Sequence, residues 1–110
     1  MEFLYMNNAV ELFNAVPKKH NCAQAVASGA GAEELFDELK CCGGGNAPGN
    51  RCGALHAAVR VAGDAFEAAL VSGFVRQLGS ESCRELKTVH HLPCEECVRT
   101  AAELLEKIKR

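Results

Sequence analysis

The hydrophobic positions of the chain recur every three to four residues, which is the period of an amphipathic α-helix. The pattern predicts helices over residues 1–16, 22–28, 32–41, 52–78 and 93–110, and a short helix that begins at Cys83 and is followed by a turn at His90 and His91. The stretch that begins at Cys52 has the longest repeat, and Gly63 and Gly73 are the positions where it can break or bend. Because 110 residues suffice for one modest core, we predict an all-α single domain over residues 1–110, a small bundle of about five helices with a Gly/Cys-rich loop.

Four cysteines fall at the starts of predicted helices. Asn21 and Gln24 have the spacing of a capping box, and so do Ser82 and Glu85. A helix N-terminus favours negative charge and lowers the pKa of a thiol. If these starts converge, they gather four thiolates, a donor set that suits zinc or an iron–sulfur centre. The four cysteines are Cys22, Cys52, Cys83 and Cys94.

A glycine-rich loop precedes Cys52. Glycine allows the backbone to approach a bound group closely, so this loop is a candidate wall of the site. The spacing of Gly44 and Gly49 is that of a phosphate-binding P-loop, but Asn50 and Arg51 stand where Lys and Ser or Thr are required, which excludes that function. The glycines assigned to the loop around the site are Gly43, Gly44, Gly45, Gly49 and Gly53.

Charge and cysteine content narrow the class of protein. The net charge of −2 comes without a basic stripe, which argues against a nucleic-acid partner. No apolar run is long enough for membrane insertion, and the N-terminus lacks the basic region of a signal peptide, so we expect a cytoplasmic protein. Seven cysteines, an odd number, do not form a simple disulfide framework in a reducing compartment. Metal, cluster or redox chemistry is therefore the leading class.

Further side chains could join the site. Cys94 and Cys97 form a CxxC pair, and Val98 stands where covalent haem attachment requires histidine. His56 follows Cys52 by one helical turn, a spacing that can chelate a metal, although a histidine on an apolar face is more often a core residue. The additional thiols or ligands to consider are Cys97, Cys42, Cys41 and His56, each with ordinary packing as the alternative.

Several short motifs occur in a characteristic order. They are NCAQAV at 21–26, the glycine run followed by CGA at 52–54, GS at 79–80 with CREL at 83–86, and Cys94 ahead of Val98 and AAE at 101–103. This order resembles the C-GCAxxG-C-C family, a group assigned to redox chemistry, and the resemblance covers about residues 21–110. It implies an all-helical bacterial or archaeal domain with a redox or cluster-binding role, whose four recurring cysteines would fall on Cys22, Cys52, Cys83 and Cys94. The chain departs from the motif at Ala57, which occupies the position where the last glycine of the motif is expected.

The combined hypothesis is a small redox protein that binds an iron–sulfur cluster through these four cysteines. It would act in electron transfer or redox sensing with a separate redox partner protein, as a carrier or sensor more than as a classical enzyme. One alternative is metal-free thiol–disulfide exchange, with Cys94 or Cys52 as the attacking thiol. A second alternative is a structural zinc site. A homodimer is left open as the oligomeric state.

Overall fold

The computed structural model describes residues 4–16, 19–40 and 51–109. These residues form six α-helices and two single turns of 3-10 helix, at Glu33–Leu35 and Asp64–Phe66, and they contain no β-strand. The predicted all-α bundle is therefore confirmed. The helices are α1 (Leu4–Asn14), α2 (Cys22–Gly29), α3 (Gly53–Ala62), α4 (Glu67–Leu78), α5 (Cys83–Thr88) and α6 (Cys94–Lys109).

Helix α6 forms the centre of the bundle, because α1, α2, α3 and α4 all pack against it. Its apolar positions recur at three- and four-residue intervals, which places Val98, Ala101 and Leu105 on one fully buried face. At the far end of this helix, the Glu106 carboxylate accepts a hydrogen bond of 2.8 Å from the Tyr5 backbone N–H at the start of α1. None of the helices in the described part of the chain combines the length and apolar character needed to cross a membrane.

The long helical pattern from Cys52 to Leu78 is divided into two helices at Gly63. This residue has φ = 99°, in the left-handed region that glycine adopts without a steric penalty, and it ends α3. The predicted break at Gly63 is thus confirmed. Gly73 lies inside α4 and does not interrupt it; a Cβ atom there would lie 3.0 Å from Leu104 Cδ2, so the glycine allows α4 and α6 to pack closely.

The helix predicted over residues 32–41 is wrong. Only Glu33–Leu35 forms a 3-10 turn, and residues 36–40 continue as turns. No side chain caps the start of this segment. The carbonyl of Phe36 accepts a hydrogen bond of 3.0 Å from Gln24 Nε2, and the Lys40 N–H donates to the carbonyl of Asp37 instead. The contact with α2 therefore takes the place of the i to i+4 bond from Lys40 to Phe36, whereas the bond of 3.0 Å from the Leu39 N–H to the carbonyl of Leu35 is present.

Candidate functional site: a thiol-lined pocket

Every cysteine among the described residues faces one pocket. The water-accessible space between the lining side chains is about 10 Å³, room for no more than about one water molecule. All five of these thiols are free. The structure thus brings together the four cysteines that the sequence placed at separate helix starts, and it adds a fifth. The lining residues are Cys22, Cys52, Gly53, Cys83, Leu86, Lys87, Cys94 and Cys97.

The position of Cys22 is set by a complete capping box. Asn21 Oδ1 accepts a hydrogen bond of 2.7 Å from the Gln24 N–H, and Gln24 Oε1 accepts one of 2.9 Å from the Asn21 N–H. These two bonds satisfy backbone donors that the first turn of a helix leaves free. Helix α2 therefore begins at Cys22, whose side chain is buried.

Cys52 is the N-cap of α3, one position before the first helical residue. Its backbone N–H donates a hydrogen bond of 2.7 Å to the carbonyl of Glu81, and Arg51 forms an isolated antiparallel bridge with Ser82. The Arg51 guanidinium strengthens this junction, with Nε at 2.9 Å from Glu81 Oε1 and Nη1 at 3.0 Å from Glu67 Oε2. Because these bonds join the two chain segments, the start of α3 lies beside the start of α5.

Helix α5 begins at Cys83 with a cap that involves three side chains. Ser82 Oγ accepts a hydrogen bond of 3.4 Å from the Glu85 N–H, as the predicted capping box requires. The Glu85 carboxylate does not accept the second hydrogen bond of a capping box, from the Ser82 N–H. It accepts a bond of 2.6 Å from Ser80 Oγ, which in turn accepts one of 3.0 Å from the Ser82 N–H. Ser80 thus completes the box and fixes the first turn that carries Cys83.

The start of α6 contributes two thiols at different depths. Cys94 is partly exposed, and its sulfur is in hydrogen-bonding contact with the Lys87 ammonium. Cys97 lies one turn further along, is only 5% exposed, and its thiol is hydrogen-bonded to the Cys52 thiol. Lys87 was missed at the level of sequence, although its position four residues after Cys83 puts both on one face of α5.

Burial dominates the electrostatics of these thiols. It raises the pKa of Cys22 to about 12, and the neighbouring Cys52 and Cys94 add to the effect. The pKa of Cys52 is raised by its hydrogen bond with Cys97 and then by burial. Burial also raises the pKa of Cys83, against the opposing charge of Lys87. The expected lowering of thiol pKa at helix starts is therefore outweighed, and without a bound cation these three thiols stay protonated.

The pocket offers sulfur as its donor atom, and thiolate sulfur is the ligand of zinc and of iron–sulfur clusters. Within the described residues, no group of three or more His, Cys, Asp or Glu side chains is arranged to hold a metal ion. A metal would therefore bind only after these cysteine side chains rotate toward a common centre. Binding would also require loss of the thiol protons, since the thiolate is the ligating form.

The remaining predicted site residues are placed as follows. Gly53 lines the pocket, whereas His56 is half-buried and does not line it. The pKa of His56 is lowered by burial and by the charges of Arg51 and Arg60. The other predicted thiols and glycines of the loop lie outside the described residues: Cys41, Cys42, Gly43, Gly44, Gly45 and Gly49.

Fold and pocket together define a small all-α protein with a cysteine-rich site. Comparison with known proteins adds no relative: no family, no curated protein and no solved structure matches the chain. The resemblance to the C-GCAxxG-C-C family stays a prediction that these comparisons do not test.

Proposed function

We propose that this protein is a small redox protein that binds an iron–sulfur cluster through Cys22, Cys52, Cys83 and Cys94. The observation that supports the proposal is that these four side chains, from four separate helix starts, line one pocket. A cluster held there would supply one-electron redox chemistry. The proposal includes a cytoplasmic location, where thiols stay reduced, and a separate redox partner protein for electron transfer or redox sensing.

The residues of the pocket suit a negatively charged group. Against the larger effects of burial and of Cys97, the backbone N–H groups of Ala23 beside Cys22 and of Ala54 and Leu55 beside Cys52 act to lower the pKa of these two thiols. Hydrogen bonds to ligating sulfur are among the features by which proteins set the potential of a cluster. The Lys87 ammonium adds a full positive charge beside Cys94. Leu86, which is buried, limits the access of water from the side of α5.

The test is the iron, sulfide and zinc content and the visible spectrum of the protein purified without oxygen. We expect a brown protein, bleached in each of the variants Cys22→Ser, Cys52→Ser, Cys83→Ser and Cys94→Ser. The matched control is His56→Asn, which lies on α3 outside the pocket wall and should keep its colour. A colourless protein with stoichiometric zinc would contradict the iron–sulfur proposal and support the structural zinc alternative. A protein that takes up neither metal, even after reconstitution with iron and sulfide, would overturn both.

A further inference from the structure

Helix α5 is the wall of the thiol pocket that has the fewest buried contacts. Of its six residues only Leu86 is buried, with 1% of its surface exposed, and the other five are partly or fully exposed. In the described part of the chain α5 does not pack along any other helix, whereas α1, α2, α3 and α4 all pack against α6. An element with so little buried apolar surface opens at a lower free energy than the core of a protein.

The two ends of α5 are held differently. At its start, the Cys52 N–H donates a hydrogen bond of 2.7 Å to the carbonyl of Glu81, and Arg51 is bridged to Ser82, so this end is fixed to α3. Beyond the other end, the chain passes through His91, an exposed residue with φ = 56°. Residues other than glycine adopt this left-handed conformation at a steric cost. Movement of α5 about its fixed start therefore carries the free end away from the pocket and lets the backbone of His91 relax.

The pocket as it stands has no room for the proposed cluster. Its water-accessible space is about 10 Å³, which is enough for about one water molecule, whereas a cluster contains several iron and sulfide ions. Two side chains of α5 besides Cys83 line this space, the buried Leu86 and the exposed Lys87. Entry of any group larger than water requires one wall to move, and α5 is the wall with the least to hold it.

We propose that α5 is a lid on the thiol pocket and that Leu86 is its latch. The lid swings about its start at Ser82 and withdraws the Leu86 side chain from the core. The thiols that it exposes are those of Cys22, Cys52 and Cys97, each at most 7% exposed when the lid is closed. The lid itself stands on the packing of α5. Its consequence, that opening admits the cluster during assembly, rests on the proposed function.

The lid is tested by thiol labelling of the full-length protein, reduced and freed of metal. N-ethylmaleimide is much larger than a water molecule, so it reaches Cys22 and Cys52 only when the pocket opens. Trypsin releases these two cysteines in separate peptides, and mass spectrometry follows the labelled fraction of each, with the urea-unfolded protein as the reference for a fully accessible thiol. We expect Leu86→Ala to raise both labelling rates by about tenfold or more, because opening then exposes less apolar surface.

Leu70→Ala is the matched control, since Leu70 is fully buried on α4 and does not line the pocket. It weakens the whole fold by the same truncation but leaves the latch in place, so Cys22 should be labelled at the wild-type rate in the absence of urea. Circular dichroism shows whether each variant is folded, and Leu86→Val, a smaller truncation, replaces Leu86→Ala if that variant is unfolded.

Three outcomes would overturn the lid. Equal acceleration in Leu86→Ala and Leu70→Ala would mean that the thiols are exposed by unfolding of the whole protein. An unchanged labelling rate of Cys22 in the Leu86 variant would mean that this side chain is not a latch. Labelling of wild-type Cys22 at the rate of the unfolded chain would mean that the pocket is not closed.

The consequence for cluster assembly is measured separately, by the rate at which visible absorbance appears on reconstitution with iron and sulfide. This rate should be higher in Leu86→Ala than in wild type, and Leu70→Ala should match wild type. If no variant takes up iron, the proposed function is refuted and the lid is judged by thiol labelling alone. If Leu86→Ala is labelled faster but takes up iron at the wild-type rate, the role of the lid in assembly is wrong.

Discussion

Asn21 joins the start of α2 to the residues that lead into the glycine-rich loop. Its Oδ1 caps the helix, and its Nδ2 donates hydrogen bonds of 3.1 Å and 2.9 Å to the carbonyls of Leu39 and Lys40. One side chain therefore fixes both the position of the Cys22 thiol and the point at which the chain enters the loop. The sequence motif marks Asn21 as a helix cap, and the structure gives it this second role.

Replacement of Asn21 by alanine should destabilise the protein. It removes an N-cap, which typically contributes about 1 kcal/mol, and it leaves two carbonyl groups without their donor. We expect the free energy of unfolding in urea to fall by about 1–2 kcal/mol. Asn21→Asp keeps the capping oxygen but not the amide donor, so its free energy of unfolding should lie between those of wild type and Asn21→Ala. Equal stability of Asn21→Ala and wild type would contradict the role assigned to this residue.

The junction between α3 and α5 predicts a measurable coupling between Arg51 and Glu81. Their side chains are 20% and 44% exposed, so solvent screens the pair and we expect a coupling energy of about 0.5–1 kcal/mol. The measurement is a double-mutant cycle with Arg51→Met and Glu81→Gln in urea unfolding. The pair of Lys107 and Glu103, whose charged atoms are 3.8 Å apart and in which Lys107 is 56% exposed, is the control and should show a weaker coupling. A stronger coupling in the exposed pair would be inconsistent with a structural role for the junction.

Lys87 should set the reduction potential of the proposed cluster. Its ammonium lies beside the Cys94 sulfur, and a nearby positive charge favours the reduced state because that state carries more negative charge. Lys87→Met should therefore lower the potential measured by spectroelectrochemical titration, and Lys87→Arg should restore most of it. Arg84→Met removes an equal charge from the same helix, away from the pocket wall. If both methionine variants lower the potential equally, the effect is one of overall charge and not of contact with the site.

The crossing of α1 and α2 should not tolerate a side chain at Gly29. A Cβ atom there would lie 2.8 Å from the backbone nitrogen of Ala9, and backbone cannot move aside as a flexible side chain can. We expect Gly29→Ala to lower the free energy of unfolding by about 1–3 kcal/mol, the usual cost of overpacking. Ser28→Ala changes the neighbouring residue, which is partly exposed, and should have little effect. Unchanged stability in Gly29→Ala would mean that the two helices are further apart.

Because the pKa of His56 is lowered by folding, we expect the protein to lose stability in mild acid. The pKa of this histidine is lowered from 6.5 in the folded protein, chiefly by burial. Below pH 6.5 the unfolded chain therefore binds a proton that the folded protein binds less readily, so stability falls as the pH decreases from 6.5. Urea unfolding at pH 7.5 and 5.5 measures this loss, which should be smaller in His56→Asn than in wild type. An identical loss in both proteins would assign the pH dependence to other groups.

The helix starts that carry the cysteines, and the break at Gly63, could be predicted from the sequence because the residues that determine them are close to them in the chain. The capping residues Asn21 and Ser82 lie next to the cysteines whose helices they start, and the φ of Gly63 requires no partner elsewhere in the chain. The prediction of a helix over residues 32–41 was wrong because the structure of this segment depends on a residue elsewhere in the chain. Its apolar spacing was helical, but Gln24, on another element, takes up the carbonyl of Phe36.

The assembly of the site depends on contacts between distant residues, and these leave no pattern in a single sequence. The Arg51–Glu81 ion pair brings the starts of α3 and α5 together, and its partners are separated by a whole helical hairpin. The pKa of Cys52 depends on its burial and on its contact with Cys97, which exist only in the packed protein. Sequence reasoning used the helix N-terminus alone and therefore had the direction of this shift wrong.

The central position of α6 also has a consequence for the order of biosynthesis. Four helices pack against this one, which is the last described element of the chain, so their apolar faces have no common partner until it leaves the ribosome. The thiols of Cys22, Cys52 and Cys83 are translated earlier, before α6 can pack beside them. Of the four ligands of the proposed cluster, Cys94 is therefore the last to be synthesised, so the complete ligand set exists only once α6 has been made.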